Sequence, residues 1–198
     1  MNHTEVARRR LHNQGLSRII FKNALDIVTQ LGAVQAQDYA GAKWGLGQRL
    51  KDCSDAALDK LFDDGSILRT HLMRPTWHFV APKDIRWLLK LTAPRVHQAS
   101  AYMYHQSGLD KATFRKSNVT LEKALRDGKQ LTRTELASAL AKAGIKADRF
   151  RLSYLMMYAE LGVLSVAAEN GAISSRMPYS KSARRLPSRS AAMNRSRN

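Results

Sequence analysis

The sequence predicts a mostly α-helical fold with short β wings, and three observations lead to this fold class. Apolar residues recur at helical spacing in most segments, as in "FKNALDIVTQL". Two β-like runs, "SILRTHLM" and "TWHFVA", are separated only by "RP", which favours a hairpin. The order helix, short strand, helix, helix, strand, turn, strand is that of a helix-turn-helix unit with a β-hairpin wing.

The first unit is predicted to begin with a basic helix over "EVARRRLHNQ", with Thr4 as its N-cap. A second helix carries an apolar stripe from Phe21 to Leu31 and ends at Gly32. The segment "AVQAQ" then predicts a very short extended stretch. Two further helices are expected over "AGAKWGLGQRL" and over "DAALDKLFDD", the latter capped by Ser54.

The two segments that follow the hairpin predict two helices, separated by a proline. Pro82 is expected to open the first helix over "KDIRWLLKLT", because proline suits the first helical position. Pro94 is expected to start the next helix, which runs to about Gln106. The first domain is therefore predicted to span residues 1–107.

A second helix-turn-helix unit is predicted over residues 108–173. The segments "NVTLEKALRDG", "KQLTRTELASALAKAG" and "DRFRLSYLMMYAELG" each combine helical spacing of apolar residues with a terminal glycine. The segment "VLSV" predicts the beginning of a strand. The wing of this second unit is therefore expected to be incomplete.

Residues 174–198 are predicted to form a disordered basic tail, because they are rich in Ser, Arg and Pro and have no apolar periodicity. One interpretation is a DNA-binding arm. Another is a change of reading frame near Ser165, since codons can be chosen so that the adjacent frame encodes an alternating strand. On that interpretation the chain is truncated.

The charge balance predicts a polyanionic partner. The chain has a net charge of +17, and seven of its 33 basic residues lie beyond Glu169. The rest still has 26 basic against 16 acidic side chains, which favours nucleic acid as the partner. The single Cys53 excludes an internal disulfide and fits a reducing cytoplasm. Neither a membrane span nor a signal peptide is evident, and the histidines lack metal-ligand spacing, so we predict a cytoplasmic protein without a metal.

Gln35 and Gln37 stand two residues apart in the short extended segment. Residues at this spacing point to the same side of a strand, so two parallel carboxamides are expected beside each other. An alternative is that they satisfy backbone groups at a helix–strand corner. Asp38 is adjacent and should point the opposite way.

Two motifs carry a family resemblance. The stretches "LGAVQAQDYAGAKWGLGQRL" and "LRTHLMRPTWHFVAPKDIRWLLKLTAPRV" resemble the winged-helix DNA-binding proteins of the AlkZ/YcaQ type, over about residues 4–165. Members of this family have tandem winged helices followed by a C-terminal β-rich region. The characterised ones are DNA glycosylases that remove bulky alkylated or crosslinked purines without a metal or organic cofactor.

The catalytic Gln-x-Gln signature of that family maps onto Gln35 and Gln37. An N7-alkylated purine carries a positive charge and leaves readily, so the enzyme needs to place a water rather than supply a strong acid. A carboxamide oxygen can accept from that water, although glutamine cannot act as a general base at neutral pH.

The resemblance implies double-stranded DNA as the partner of a monomeric protein. Candidate contacts to DNA are basic residues of both units: Arg74 and His78 on the hairpin, and Lys43, Arg49, Arg149 and Arg151 elsewhere. One alternative function is a non-enzymatic transcription regulator that uses Arg149 and Arg151 on a recognition helix. The other is an inactive truncated fragment.

Overall fold

A mostly helical chain with one small antiparallel sheet is what the structure shows, as the sequence predicts. The computed structural model describes residues 2–126, 129 and 131–167, with only the backbone of Arg149 and of residues 163–167. The elements are α1 (His3–Asn13), α2 (Ala24–Leu31), β1 (Ala33–Gln35), α3 (Tyr39–Gly47), α4 (Asp55–Asp63), β2 (Leu68–Leu72), β3 (Thr76–Val80), α5 (Ile85–Gln106), α6 (Lys111–Ala124), α7 (Arg133–Lys142) and α8 (Arg149–Ala167).

Side-chain caps fix where several of these helices begin. The side chain of Ser54 accepts a hydrogen bond from the amide of Ala57, and it caps α4 as predicted. The N-cap of α1 is Asn2, whose side chain accepts from the amide of Glu5, so the prediction of Thr4 at this position is wrong. Asparagine satisfies the free amides of the first turn as well as threonine does, and it lies upstream.

The three strands form a sheet in the order β1-β3-β2, with both pairs antiparallel. Its two faces support two apolar cores, because side chains alternate along each strand. Phe79 packs with α2, α3 and α4 in one core. Val80 and Leu72 pack with α5–α8 in the other. The central strand β3 therefore joins the first helices of the chain to the last ones.

Helix α5 is one continuous helix of 22 residues, so the prediction of two helices divided at Pro94 is wrong. A proline inside a helix loses one backbone hydrogen bond and is costly. Here Leu89 lies before the proline and Val96 after it, and both are fully buried in the core that α5 forms with α8. Burial on both sides of Pro94 offsets the local cost.

Helix α8 continues through Ala167, so the strand predicted at residues 163–166 is also wrong. Leu155 and Leu161, in the part of α8 whose side chains are described, are buried in the same core. The predicted tail of residues 174–198 and the remainder of the second wing lie outside the described residues. The division of the chain at residue 107 stays a prediction, since one core contains residues from both sides of it.

Candidate functional site

Gln35 and Gln37 are both exposed, and both line an open concave surface of about 480 Å³. We call it the glutamine surface, and its other lining residues are Val34, Asp38, Gly41, Ala42 and Gly45. None of these lining residues is basic. The carboxamides are thus the main neutral polar groups at this position.

The turn between β1 and α3 shapes the glutamine surface. Oδ1 of Asp38 accepts a hydrogen bond from the amide of Gly41 at 3.2 Å and caps α3. A Cβ at position 41 would lie 2.5 Å from Oδ2 of Asp38, so only glycine fits without a shift of that carboxylate. Gly41 and Gly45 follow each other on one side of α3 and keep bulk away from the two glutamines.

The side chain of Gln37 is held by the amide of Trp77, which does not make its expected backbone hydrogen bond to β1. The register that pairs Gln35 with His78 places Ala36 opposite Trp77, and the amide of Ala36 donates to the carbonyl of Trp77 at 2.7 Å. In a regular antiparallel pair the amide of Trp77 would donate back to the carbonyl of Ala36. It donates instead to Oε1 of Gln37 at 3.2 Å. The side chain of Gln37 therefore replaces a backbone acceptor at the end of β1.

The carbonyl of Ala36 is bound by Arg69, a residue of β2 that the sequence did not single out. Nε and Nη2 of Arg69 donate to this oxygen at 3.2 and 2.8 Å. The guanidinium lies 4.4 Å from the ring centroid of Trp77 and 5.5 Å from that of Tyr39. The alternation of β3 predicts that Trp77 shares a face with Phe79, but only the folded sheet brings a cation onto that ring.

The half-buried Tyr39 lies next to the guanidinium of Arg69. Its hydroxyl donates to Oδ1 of Asp59 at 3.0 Å. Burial first, and then the hydrogen bond to Asp59, raises the pKa of Tyr39 well above its usual value. The phenol therefore stays protonated at neutral pH and remains a donor.

Of the two hairpin candidates for DNA contacts, only Arg74 is exposed. Met73, beside it, has a φ of 62°, which places Arg74 at the tip of a tight turn. His78 lies opposite Gln35 in the sheet but is buried, and its Nδ1 is 3.0 Å from the carbonyl oxygen of Thr76. Burial lowers the pKa of His78, so a charged phosphate contact at this residue is not supported.

Lys43 is another predicted DNA contact that the structure does not support. It is 4% exposed, and its Nζ lies 2.7 Å from a carboxylate oxygen of Asp55 and 2.7 Å from one of Asp59. Burial disfavours its charged form, but the hydrogen bonds to the two aspartates outweigh this effect and raise the pKa of Lys43. Lys43 joins α3 to α4 and cannot reach a phosphate without breaking both ion pairs.

Among the remaining candidates, Arg49 and Arg151 also make hydrogen bonds within the protein. Arg49 donates to the carbonyl and the side-chain oxygen of Gln14 at 2.7 and 3.0 Å, and so ties α1 to α3. Arg151 donates to the carbonyls of Lys146 and Ser107. These hydrogen bonds hold the two guanidinium groups against the C-terminal ends of α1 and α5. The side chain of Arg149 lies outside the described part of the structure.

A buried contact between α8 and β2 has no counterpart in the sequence-based predictions. Nδ1 of His71 lies 2.8 Å from Oε2 of Glu160, and the amide of His71 donates to the same oxygen at 3.2 Å. Among the described strands β2 lies at the edge of the sheet, and Glu160 accepts from an amide that has no partner in those strands. No sequence signal links two residues so far apart along the chain.

Two kinds of feature are absent from the described residues. Within residues 2–126, 129 and 131–167, no group of three or more His, Cys, Asp or Glu side chains is placed to hold a metal ion. No helix in that same part of the chain is long and apolar enough to cross a membrane.

Comparisons with known proteins point to one family. A family described as DNA glycosylase AlkZ-like matches residues 28–196. A solved structure of the Streptomyces sahachiroi DNA glycosylase AlkZ is similar with 26% sequence identity and a TM-score of 0.54, over 80% of this chain and 41% of that chain. No curated protein sequence matches the chain. The family match continues beyond residue 165, where we expected the resemblance to end, so that boundary is not supported.

Proposed function

The chain belongs to the AlkZ-like DNA glycosylase family, and we propose that it binds double-stranded DNA and releases bulky alkylated purines from it with Gln35 and Gln37. The chain spans less than half the length of the Streptomyces glycosylase that it matches. The proposed activity therefore depends on the residues that this chain itself contains.

The observation that carries this proposal is the shared exposure of both carboxamides on the glutamine surface. Oε1 of Gln37 accepts from the amide of Trp77, so the NH2 group is the part of this carboxamide that is left to donate to DNA or to the departing base. Among the described residues, the carboxamide of Gln35 has no hydrogen-bond partner. Gln35 is thus the group that would accept from the attacking water.

The reaction needs no proton donor when the base is already cationic. The water oxygen bonds to the sugar carbon, the carbon–nitrogen bond breaks, and its electron pair neutralises the positive charge of the alkylated purine. The proton that the water loses passes to solvent, because a carboxamide cannot hold it. The two carboxamides contribute by orienting the water and the sugar before the bond breaks. An unmodified purine lacks this positive charge and should not be released.

Tandem winged helices are the architecture we propose for this chain. In the first unit, the sequence of elements α2, β1, α3, α4, β2 and β3 and the sheet order β1-β3-β2 support a helix-turn-helix with a hairpin wing. In the second, α6, α7 and α8 supply the three helices. The exposed Arg74 at the tip of the hairpin is the candidate contact to the DNA backbone.

A base-release assay tests the function. The 198-residue chain is incubated with a duplex that carries a single bulky N7-alkylguanine and, separately, with the unmodified duplex. We expect free alkylated base from the first duplex alone, and none when Gln35 and Gln37 are both changed to Ala. Binding to both duplexes without release would instead support a non-enzymatic DNA-binding protein. The internal hydrogen bonds of Arg151 already weigh against its use in sequence readout.

A further inference from the structure

We propose that Arg69 is the residue that positions Gln37, by removing the carbonyl of Ala36 from the sheet ladder. The inference rests on the proposed function, because it assigns Arg69 a part in orienting one member of the glutamine pair. Arg69 is a positioning residue in this scheme and does not touch DNA.

Two acceptors compete for the amide of Trp77. The amide of Trp77 can donate either to the carbonyl of Ala36, which lies opposite it, or to Oε1 of Gln37. It donates to Gln37 because the carbonyl of Ala36 is already bound to Nε and Nη2 of Arg69. Two donors from one guanidinium hold that oxygen in a fixed direction.

The rings on either side explain why an arginine suits this position. A guanidinium is planar and stacks on aromatic faces while its edge donates hydrogen bonds. The charge of Arg69 lies over Trp77 and near Tyr39, and its edge meets Ala36. A lysine can donate to the same carbonyl but offers neither the flat face nor the paired donors.

Without the guanidinium, the amide of Trp77 is the donor among the described residues that lies opposite the carbonyl of Ala36, so β1 should lengthen by one regular pair. The side chain of Gln37 would then lose the bond that orients it and would sample several rotamers. Gln37 would remain on the surface, but its NH2 group would no longer be fixed toward DNA.

Arg69→Met tests this inference with a readout that does not depend on activity. In the parent protein we expect a nuclear Overhauser contact between the amide proton of Trp77 and the side chain of Gln37. In Arg69→Met this contact should be lost, while the contacts between β2 and β3 remain. Gln30→Ala, on the exposed face of α2, is the control that should leave the contact intact.

Single-turnover base release provides the second readout. Arg69→Met should slow release by about tenfold to a hundredfold, the range expected when a reacting group is misplaced, with less than about a threefold change in DNA affinity. In a Gln37→Ala background the same substitution should slow release far less, because Arg69 acts through Gln37. The rate of base release by Arg69→Lys should fall between the rates of the parent and of Arg69→Met. If Arg69→Met fails to fold, Arg69→Lys provides the test in its place.

The outcomes separate this inference from the proposed function. If the parent releases base and Arg69→Met keeps both the rate and the Trp77–Gln37 contact, Arg69 does not position Gln37. Equal slowing by Arg69→Met in the parent and in Gln37→Ala would also overturn the inference. If the parent releases no base but the contact is lost in Arg69→Met, the proposed function fails while the positioning role stands.

Discussion

Nδ1 of His71 on β2 lies 2.8 Å from Oε2 of Glu160 on α8, in a contact that joins residues 89 positions apart. The hydroxyl of Thr70 and the amide of His71 also approach the same oxygen, at 3.4 and 3.2 Å. Glu160 therefore connects the edge strand of the sheet to the last described helix. The other oxygen of Glu160 is buried without a partner among the described residues.

Glu160→Ala should lower the free energy of unfolding by about 1–3 kcal/mol, the range for leaving buried hydrogen-bonding groups without their partner. The loss arises because the amide and imidazole of His71 would be left buried without an acceptor. Glu160→Gln should cost less, since its side-chain oxygen can still accept one of these bonds. Urea denaturation measures both values, and a change under about 1 kcal/mol in Glu160→Ala would contradict the structural role.

Gln35→Ala and Gln37→Ala should each slow the release of alkylated base by about 2–4 kcal/mol of activation free energy, judging from the loss of single oriented groups in other enzymes. The affinity for the alkylated duplex should change little, because neither residue is charged. Gln30→Ala is the matched control and should keep the parent rate. Single-turnover kinetics and a binding titration measure the two effects. If the variant with both Gln→Ala changes releases alkylated base as fast as the parent, the mechanism is wrong.

Duplex binding should weaken steeply with salt. Neutralisation of about five phosphates implies a slope of about −4 to −5 in a plot of log affinity against log salt concentration. Arg74→Gln should make this slope shallower by about 0.9, because each phosphate contact releases about that fraction of a counterion. Arg74→Lys keeps the charge and should keep the slope. Fluorescence anisotropy at several salt concentrations tests this, and an unchanged slope in Arg74→Gln would remove Arg74 from the interface.

Stability should fall as the pH is lowered from about 7.5 to about 5.5. Burial lowers the pKa of His78 and of His97 in the folded protein, so below the ordinary histidine pKa of about 6.5 the unfolded chain binds more protons than the folded one. The stability that these neutral imidazoles contribute is present above that pH and is lost as the pH falls through it.

His97→Gln should reduce this pH dependence. Nδ1 of His97 lies 3.2 Å from the hydroxyl of Tyr104, a group whose pKa burial raises to about 12, and a glutamine can keep a hydrogen bond to it. His105→Gln, on the exposed side of the same helix, should show the parent's pH dependence. Melting temperatures at the two pH values provide the comparison. An equal fall in the parent and in His97→Gln would show that His97 does not contribute.

The sequence by itself determined several of the local elements and the pair of glutamines. Helical spacing, Gly32 and Ser54 predicted α2 and α4, and the hairpin around Arg74 followed from two β-like runs. The i, i+2 spacing of Gln35 and Gln37 predicted two neighbouring carboxamides, and both residues line the glutamine surface although β1 ends at Gln35. These features depend on neighbours within a few residues, so the local sequence contains the information that specifies them.

Tertiary structure decided which polar groups are free and which are bound. The sequence cannot show that Lys43 is paired with two aspartates of the next helix, or that Arg69 reaches the carbonyl of Ala36. Nor can it show that packing carries α5 through Pro94. Each of these depends on contacts between distant segments, whose geometry is set by the sheet register and by the burial of apolar side chains.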